Sequence, residues 1–114
     1  MHILLIGDVV GNSGCCFLQE RLPQLKRTHQ VDLTIVNGEN SAQGNGITKH
    51  SMEQLFSAGA DIITTGNHCF QRREALSIYE KDVHSWVLLF YGWGKLFVRL
   101  LIGGFASLKK IALI

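Results

Sequence analysis

Three short, largely apolar runs occupy residues 3–6, 31–36 and 62–65, and each stops at a glycine or an Asn-Gly pair followed by polar residues. Continuous runs of this length read as strands buried on both faces, the habit of a parallel sheet. The segments between them carry the helical period. Cys15, Leu18, Leu22 and Leu25 recur at helix spacing, with Glu20, Arg21, Lys26 and Arg27 between them. Asn12 or Ser13 is expected to cap that helix, and Pro23 to kink it or split it in two. A second helix is expected after Thr48 as N-cap, carrying Met52, Leu55 and Phe56 and ending at Gly59. A third is expected over 70–79. The order β-α-β-α-β-α is the alternating signature of an α/β sheet with right-handed crossovers.

Polar residues cluster where each strand runs out, and in open α/β sheets that edge is where ligands bind. Asp8 follows the first run, Glu39-Asn40 the second and Asn67-His68 the third. A carboxylate at the tip of a buried strand costs desolvation unless something positive meets it. Asp8 thus reads as a hard oxygen ligand for a divalent metal, against the plainer reading of a helix cap or loop acceptor. Glu39 and Asn40 put a carboxylate and a carboxamide side by side, and a two-oxygen carboxylate can bridge two metals. Their plainer reading is turn chemistry, since Asn37-Gly38 is itself a turn signal. The Asn67 amide oxygen can ligate a metal. His68 can ligate too, or give a proton to a leaving oxygen, as imidazoles do near neutral pH. Three such stations on three consecutive strand ends favour a metal site over three independent loops.

Other chemistry-bearing residues read more plainly. His2, His29 and His50 fall at a strand start, a helix end and a helix start, where solvation is expected, and His84 has no partner in view. Cys69 beside His68 suggests a thiol nucleophile but fits helix-start packing better. Arg72 and Arg73 could clamp a phosphate but fit a solvated helix face better. Gly7, Gly11 and Gly14 loosely resemble a phosphate-cradling loop, yet the spacing is not G-x-G-x-x-G and Asp8 would repel the phosphates. A serine-hydrolase start of the Gly-Asp-Ser kind fails because Val9 stands where the serine would be.

The chain changes character near Asp82. Residues 1–82 hold seven Lys and Arg against nine Asp and Glu, whereas 83–114 hold Lys95, Arg99, Lys109 and Lys110 and no acid. The later part also holds six of the ten aromatics, so the overall charge of +2 belongs to no single surface. We therefore expect two units, a partial domain over 1–82 and a hydrophobic basic tail over 83–114. In the tail, a strand is expected over 86–91 and a helix over 96–102. Residues 86–106 approach the length of a bilayer span, but Lys95 and Arg99 near the centre would cost roughly 2.5–3.5 kcal/mol each. A span is therefore not favoured, and membrane contact through the tail is the weaker expectation. The mild charge balance does not suggest a DNA-binding chain. Three cysteines without a C-x-x-C pair argue against a zinc ribbon or a disulfide framework, and with no basic leader before the first apolar run they point to the cytoplasm.

The motifs GDVVG at 7–11, NGENSAQGNGIT at 37–48 and TTGNH at 64–68 resemble the YmdB-type branch of the calcineurin-like metallophosphoesterases. The resemblance covers roughly residues 1–80 and implies the N-terminal half of a metallophosphoesterase α/β sandwich. It implies a two-metal phosphodiesterase acting on small phosphodiesters such as 2′,3′-cyclic nucleotides, an RNA-related substrate class. Fe, Mn or Mg would serve as the two ions. By resemblance Asp8 is a ligand of the first metal, Glu39 bridges both, Asn40 and Asn67 bind at the same centre, and His68 is the proton donor. The wider superfamily begins Asp-x-His. Here Val10 takes the histidine place, as in the YmdB-type branch. Family members are longer, and their later half supplies further metal-binding histidines. Nothing from Val83 onward resembles them, and the tail has the look of out-of-frame translation or a gene break. The resemblance thus implies a truncated chain with impaired activity. The rival is a non-catalytic fragment with a partial metal site, and the expected exposed feature is a sheet edge left unpaired where the missing half would pack.

Overall fold

Ile3–Asp8 forms the first strand, β1, in a computed structural model that describes residues 1–68, 70–75, 77, 86–89 and 99–100. It is followed by α1 (Gly11–Thr28), β2 (Leu33–Asn37), α2 (Lys49–Ala58) and β3 (Ile62–Thr65). Backbone segments β4 (Trp86–Leu89) and β5 (Arg99–Leu100) complete one sheet in the order β1-β2-β3-β4-β5. The first three junctions are parallel and the last is antiparallel. The mixed α/β class and the parallel β1-β2-β3 unit agree with the alternation of apolar runs and helical periods. Residues 73–75 and 77 are helical, and the remainder of the third expected helix lies outside the described residues.

The core lies between this sheet and the two helices. Leu18 and Leu22 of α1 and Met52, Leu55 and Ala58 of α2 pack with Val36 and Ile63 of the sheet. Leu22, Leu55, Val36 and Ile63 are fully buried. The helices also touch through polar side chains, where Gln19 Nε2 donates to Ser57 Oγ at 3.1 Å. At the end of the sheet away from the polar stations, Asp61 Oδ2 accepts from the Thr34 N–H at 2.7 Å and from Lys26 Nζ at 3.2 Å. Asp61 thereby ties β2, the α2–β3 turn and the end of α1 together.

Several local expectations need correction. β1 is not buried on both faces: Leu4 and Ile6 pack against the core, whereas Ile3 and Leu5 are 52% and 71% exposed. As the edge strand it has a neighbour on one side, and the face carrying Leu4 and Ile6 is the one packed against the core. Helix α1 is one continuous helix with Pro23 inside it, not two. Its N-cap is Val10 with no side-chain cap bond, so neither Asn12 nor Ser13 caps it. The loop takes over that role, because Gly11 N–H donates to the Asn40 carbonyl at 3.0 Å. Asn12 instead accepts from Gln54 Nε2 at 3.1 Å.

The α2 caps follow the sequence closely. Thr48 accepts from Ser51 N–H, and Ser51 returns the bond to the Thr48 N–H at 3.0 Å, closing a capping box. Gly59 ends the helix with φ 111°, a backbone state that favours glycine.

In the tail, the strand expected over 86–91 is present at 86–89, paired parallel with β3. The β3 edge is therefore occupied, whereas a sheet edge left unpaired is the expectation from the sequence. The helix expected over 96–102 is contradicted at 99–100, which pair antiparallel with 88–89. That segment has no amphipathic period, so a helix there offers no face to bury, while pairing satisfies its backbone groups. No helix among the described residues is long and apolar enough to cross a membrane.

Cys15 is fully buried at the start of α1, its thiol 4.0 Å from the Ser41 carbonyl. Burial pushes this thiol above the ordinary range, and Cys16 beside it adds to the rise. The unfolded chain therefore gives up this proton first as pH rises. The stability Cys15 contributes is complete below the ordinary thiol range and is lost through and above it. Thermal melts across that range should show a smaller alkaline loss of stability in Cys15→Ala than in the wild-type chain.

Candidate functional site

The parallel register brings the three polar stations to one end of the sheet. Asp8 pairs with Asn37, and Asn37 pairs with Thr64. The register slips between Ile6 and Asp8, an irregularity centred on Gly7. Beyond the strands the backbone stays stitched: Val9 N–H donates to the Asn37 carbonyl at 3.0 Å and Gly38 N–H to the Thr64 carbonyl at 2.9 Å. The loop ends are thus held by the same ladder that forms the sheet.

Side chains join the stations. Asn40 Nδ2 donates to Asp8 Oδ2 at 2.8 Å, which links the first station to the second and leaves the Asn40 amide oxygen for another partner. Glu39 leans on the third station, its carboxylate lying against Gly66. Asn37, which the sequence marks only as a turn residue, orients Glu39 twice. Its Oδ1 accepts from the Glu39 N–H at 2.9 Å and its Nδ2 donates to Glu39 Oε1 at 3.3 Å. Asn67 follows Gly66 directly and is exposed. His68 sits on the same strand end, and its Nδ1 is 3.1 Å from Asn45 Oδ1 of the loop between β2 and α2.

Arg72 departs from expectation. It does not belong to a solvated face but donates from Nε to the Asn45 carbonyl at 3.0 Å and from Nη2 to the Ala42 carbonyl at 3.1 Å. It straps the loop that carries Asn45. Arg73 is exposed, as are His2, His29 and His50. Cys69 and His84 lie outside the described residues.

The charge balance here is one-sided. Asp8 and Glu39 form no ion pair among the described residues. Glu39 Oε2 is buried and has no hydrogen-bond partner. The other buried orphan among the described residues, Thr34 Oγ1, is a neutral hydroxyl, whereas an orphaned carboxylate oxygen carries a far larger desolvation cost. The side chains at these strand ends that the sequence offers as ligands, Asp8, Glu39, Asn40 and Asn67, carry oxygen donors, a chemistry that suits hard divalent cations. Among the described residues no group of three His, Cys, Asp or Glu makes a metal cage.

The family model of the YmdB-like proteins matches residues 4–85, the stretch that holds all three stations. The chain belongs to the YmdB-like family. A 2′,3′-cyclic-nucleotide 2′-phosphodiesterase of Bacillus subtilis (strain 168) is 46% identical to this chain over 74 residues, 65% of this chain and 28% of that protein. A crystal structure of a novel phosphatase from Mycoplasma pneumoniae superposes with a TM-score of 0.68 at 34% identity, over 75% of this chain and 31% of its own. A crystal structure of a hypothetical protein from Thermus thermophilus gives a TM-score of 0.69 at 33% identity, over 84% of this chain and 37% of its own. The chain thus spans about a third of the length of these similar proteins.

Proposed function

We propose that the chain carries the front half of a metal-dependent phosphodiesterase site for small phosphodiesters such as 2′,3′-cyclic nucleotides. The observation that carries this reading is the buried, unpartnered Glu39 Oε2 at the sheet end that also holds Asp8, a second carboxylate with no ion-pair partner among the described residues. A divalent cation resolves both. The name of the Bacillus subtilis relative supports the substrate class.

In this reading Asp8 and Glu39 hold the metal through carboxylate oxygens, and Asn40 and Asn67 add amide oxygens. Mn, Fe or Mg fits such donors, and Glu39 with its two oxygens is the residue suited to bridging a pair of ions. A divalent metal held there would supply water activation and offset phosphoryl charge. Asn40 fixes Asp8, Asn37 fixes Glu39, and His68 protonates the leaving oxygen, its ring oriented by Asn45. The site residues all fall within residues 1–82, and the proposed compartment is the cytoplasm.

The test is hydrolysis of a 2′,3′-cyclic nucleotide with added Mn²⁺ or Fe²⁺. Wild type is expected to exceed Asp8→Asn, because the substitution removes the charge that holds the ion while keeping the shape. Equal rates would show that this chain is not catalytic.

One observation favours a second reading, a non-catalytic chain with a partial metal site: among the described residues the carboxylates at the centre number only two and no metal cage forms. Saturable Mn²⁺ binding without turnover would select it.

A further inference from the structure

We infer that Gly66 is a positioning residue for the metal centre, keeping open the space into which the Glu39 carboxylate points. The inference rests on the reading of Glu39 as a metal ligand and concerns a residue outside the ligand set.

The carboxylate is held between two jaws. On one side Asn37 grips both ends of the residue, through the Glu39 N–H and through Oε1. On the other side stands Gly66, where any Cβ would overlap Glu39 Oε2, stand 2.8 Å from its Cδ and 3.1 Å from Oε1. Cβ atoms do not approach other heavy atoms that closely, so a side chain at 66 evicts the carboxylate. The Glu39 backbone has little room to retreat. Its neighbour Gly38 is itself packed so tightly that a Cβ there would lie 2.8 Å from Leu55 Cδ1 and 3.0 Å from Ile63 Cγ2.

Conformation does not explain this glycine. Gly11, Gly44, Gly46 and Gly59 have positive φ, and Gly66 does not. An alanine at 66 meets no backbone penalty, so the requirement is space alone. The space is used by a buried carboxylate oxygen that lacks a hydrogen-bond partner. Gly66 therefore lets Glu39 present Oε2, with Oε1 already engaged by Asn37.

The experiment combines Gly66→Ala, Glu39→Ala and the double variant in the full chain, with Mn²⁺ binding by calorimetry and thermal melts in metal-free buffer. Gly66→Ala is expected to weaken Mn²⁺ binding about 10–100-fold, the usual effect of disturbing a group that orients a ligand. In metal-free buffer it should lower Tm in the wild-type background and not in the Glu39→Ala background, where no carboxylate remains to be evicted. A single variant that fails to fold but folds once Glu39 is alanine supports the same conclusion. Unchanged Mn²⁺ affinity in Gly66→Ala overturns the inference, as does an equal Tm loss or failure to fold in both backgrounds. If the wild-type chain binds no Mn²⁺, the metal reading fails, and the metal-free comparison still decides whether Gly66 makes room for Glu39.

Discussion

His68→Ala should lower Mn²⁺-dependent hydrolysis of a 2′,3′-cyclic nucleotide about 10²–10⁴-fold, the range that a positioned proton donor contributes. The loss should shrink for a phosphodiester with an activated leaving group such as p-nitrophenolate, which departs without protonation. That contrast separates a proton donor from a residue that merely shapes the loop, because a shape defect slows both substrates alike. His68 follows the third strand end directly, and its Nδ1 is engaged at 3.1 Å by Asn45. In the proposed role Nε2 is the atom that gives the proton. Metal binding should survive this substitution, unlike Asp8→Asn. Mn²⁺ titration of His68→Ala checks that point independently of turnover.

Leu55→Ala should cost about 2–5 kcal/mol, read as a lower urea midpoint at unchanged slope. Leu55 is fully buried and belongs to the cluster shared by both helices and the sheet. Against the roughly 5–15 kcal/mol that stabilises an ordinary domain, such a loss is large. The substitution should also reach the site. Leu55 Cδ1 is among the atoms that pin Gly38, the residue before Glu39, so a cavity at 55 loosens the backbone that aims the carboxylate. Mn²⁺ affinity is therefore expected to fall at temperatures where the variant remains folded. A core residue and a site residue are coupled here through one close-packed glycine.

Much of the fold was legible because its signals are local. The Thr48 cap and the Gly59 stop depend on a few neighbouring residues and the backbone states they allow, and both stand where the spacing places them. The three apolar runs read as strands because continuous apolar stretches between glycine-rich breaks have few other uses. Local signals failed where a distant group took over. Asn12 and Ser13 are good capping types, yet α1 is anchored by the Asn40 carbonyl, far away in sequence. Arg72 reads as a surface cation, yet it straps the loop before α2 through two carbonyls. Pro23 reads as a break, yet Leu18 and Leu22 bury the helix around it, and tertiary packing outweighs one missing backbone bond.

The sequence alone determined the alternation of strands and helices, the end of the sheet where Asp8, Glu39-Asn40 and Asn67-His68 emerge, and the family those motifs resemble. These follow from residue type and spacing along the chain. Only the tertiary structure decided which atoms meet: that Asn40 holds Asp8, that Asn37 turns Glu39 so that one oxygen is buried without a partner, and that Gly66 leaves the space it fills. It also decided that β1 is an edge strand with Ile3 and Leu5 open to solvent. The physical reason is range. Hydrophobic period and backbone preference act over a few residues, whereas the contact of a carboxylate at one strand end with a glycine at the next depends on register, and register is settled only when the whole sheet pairs.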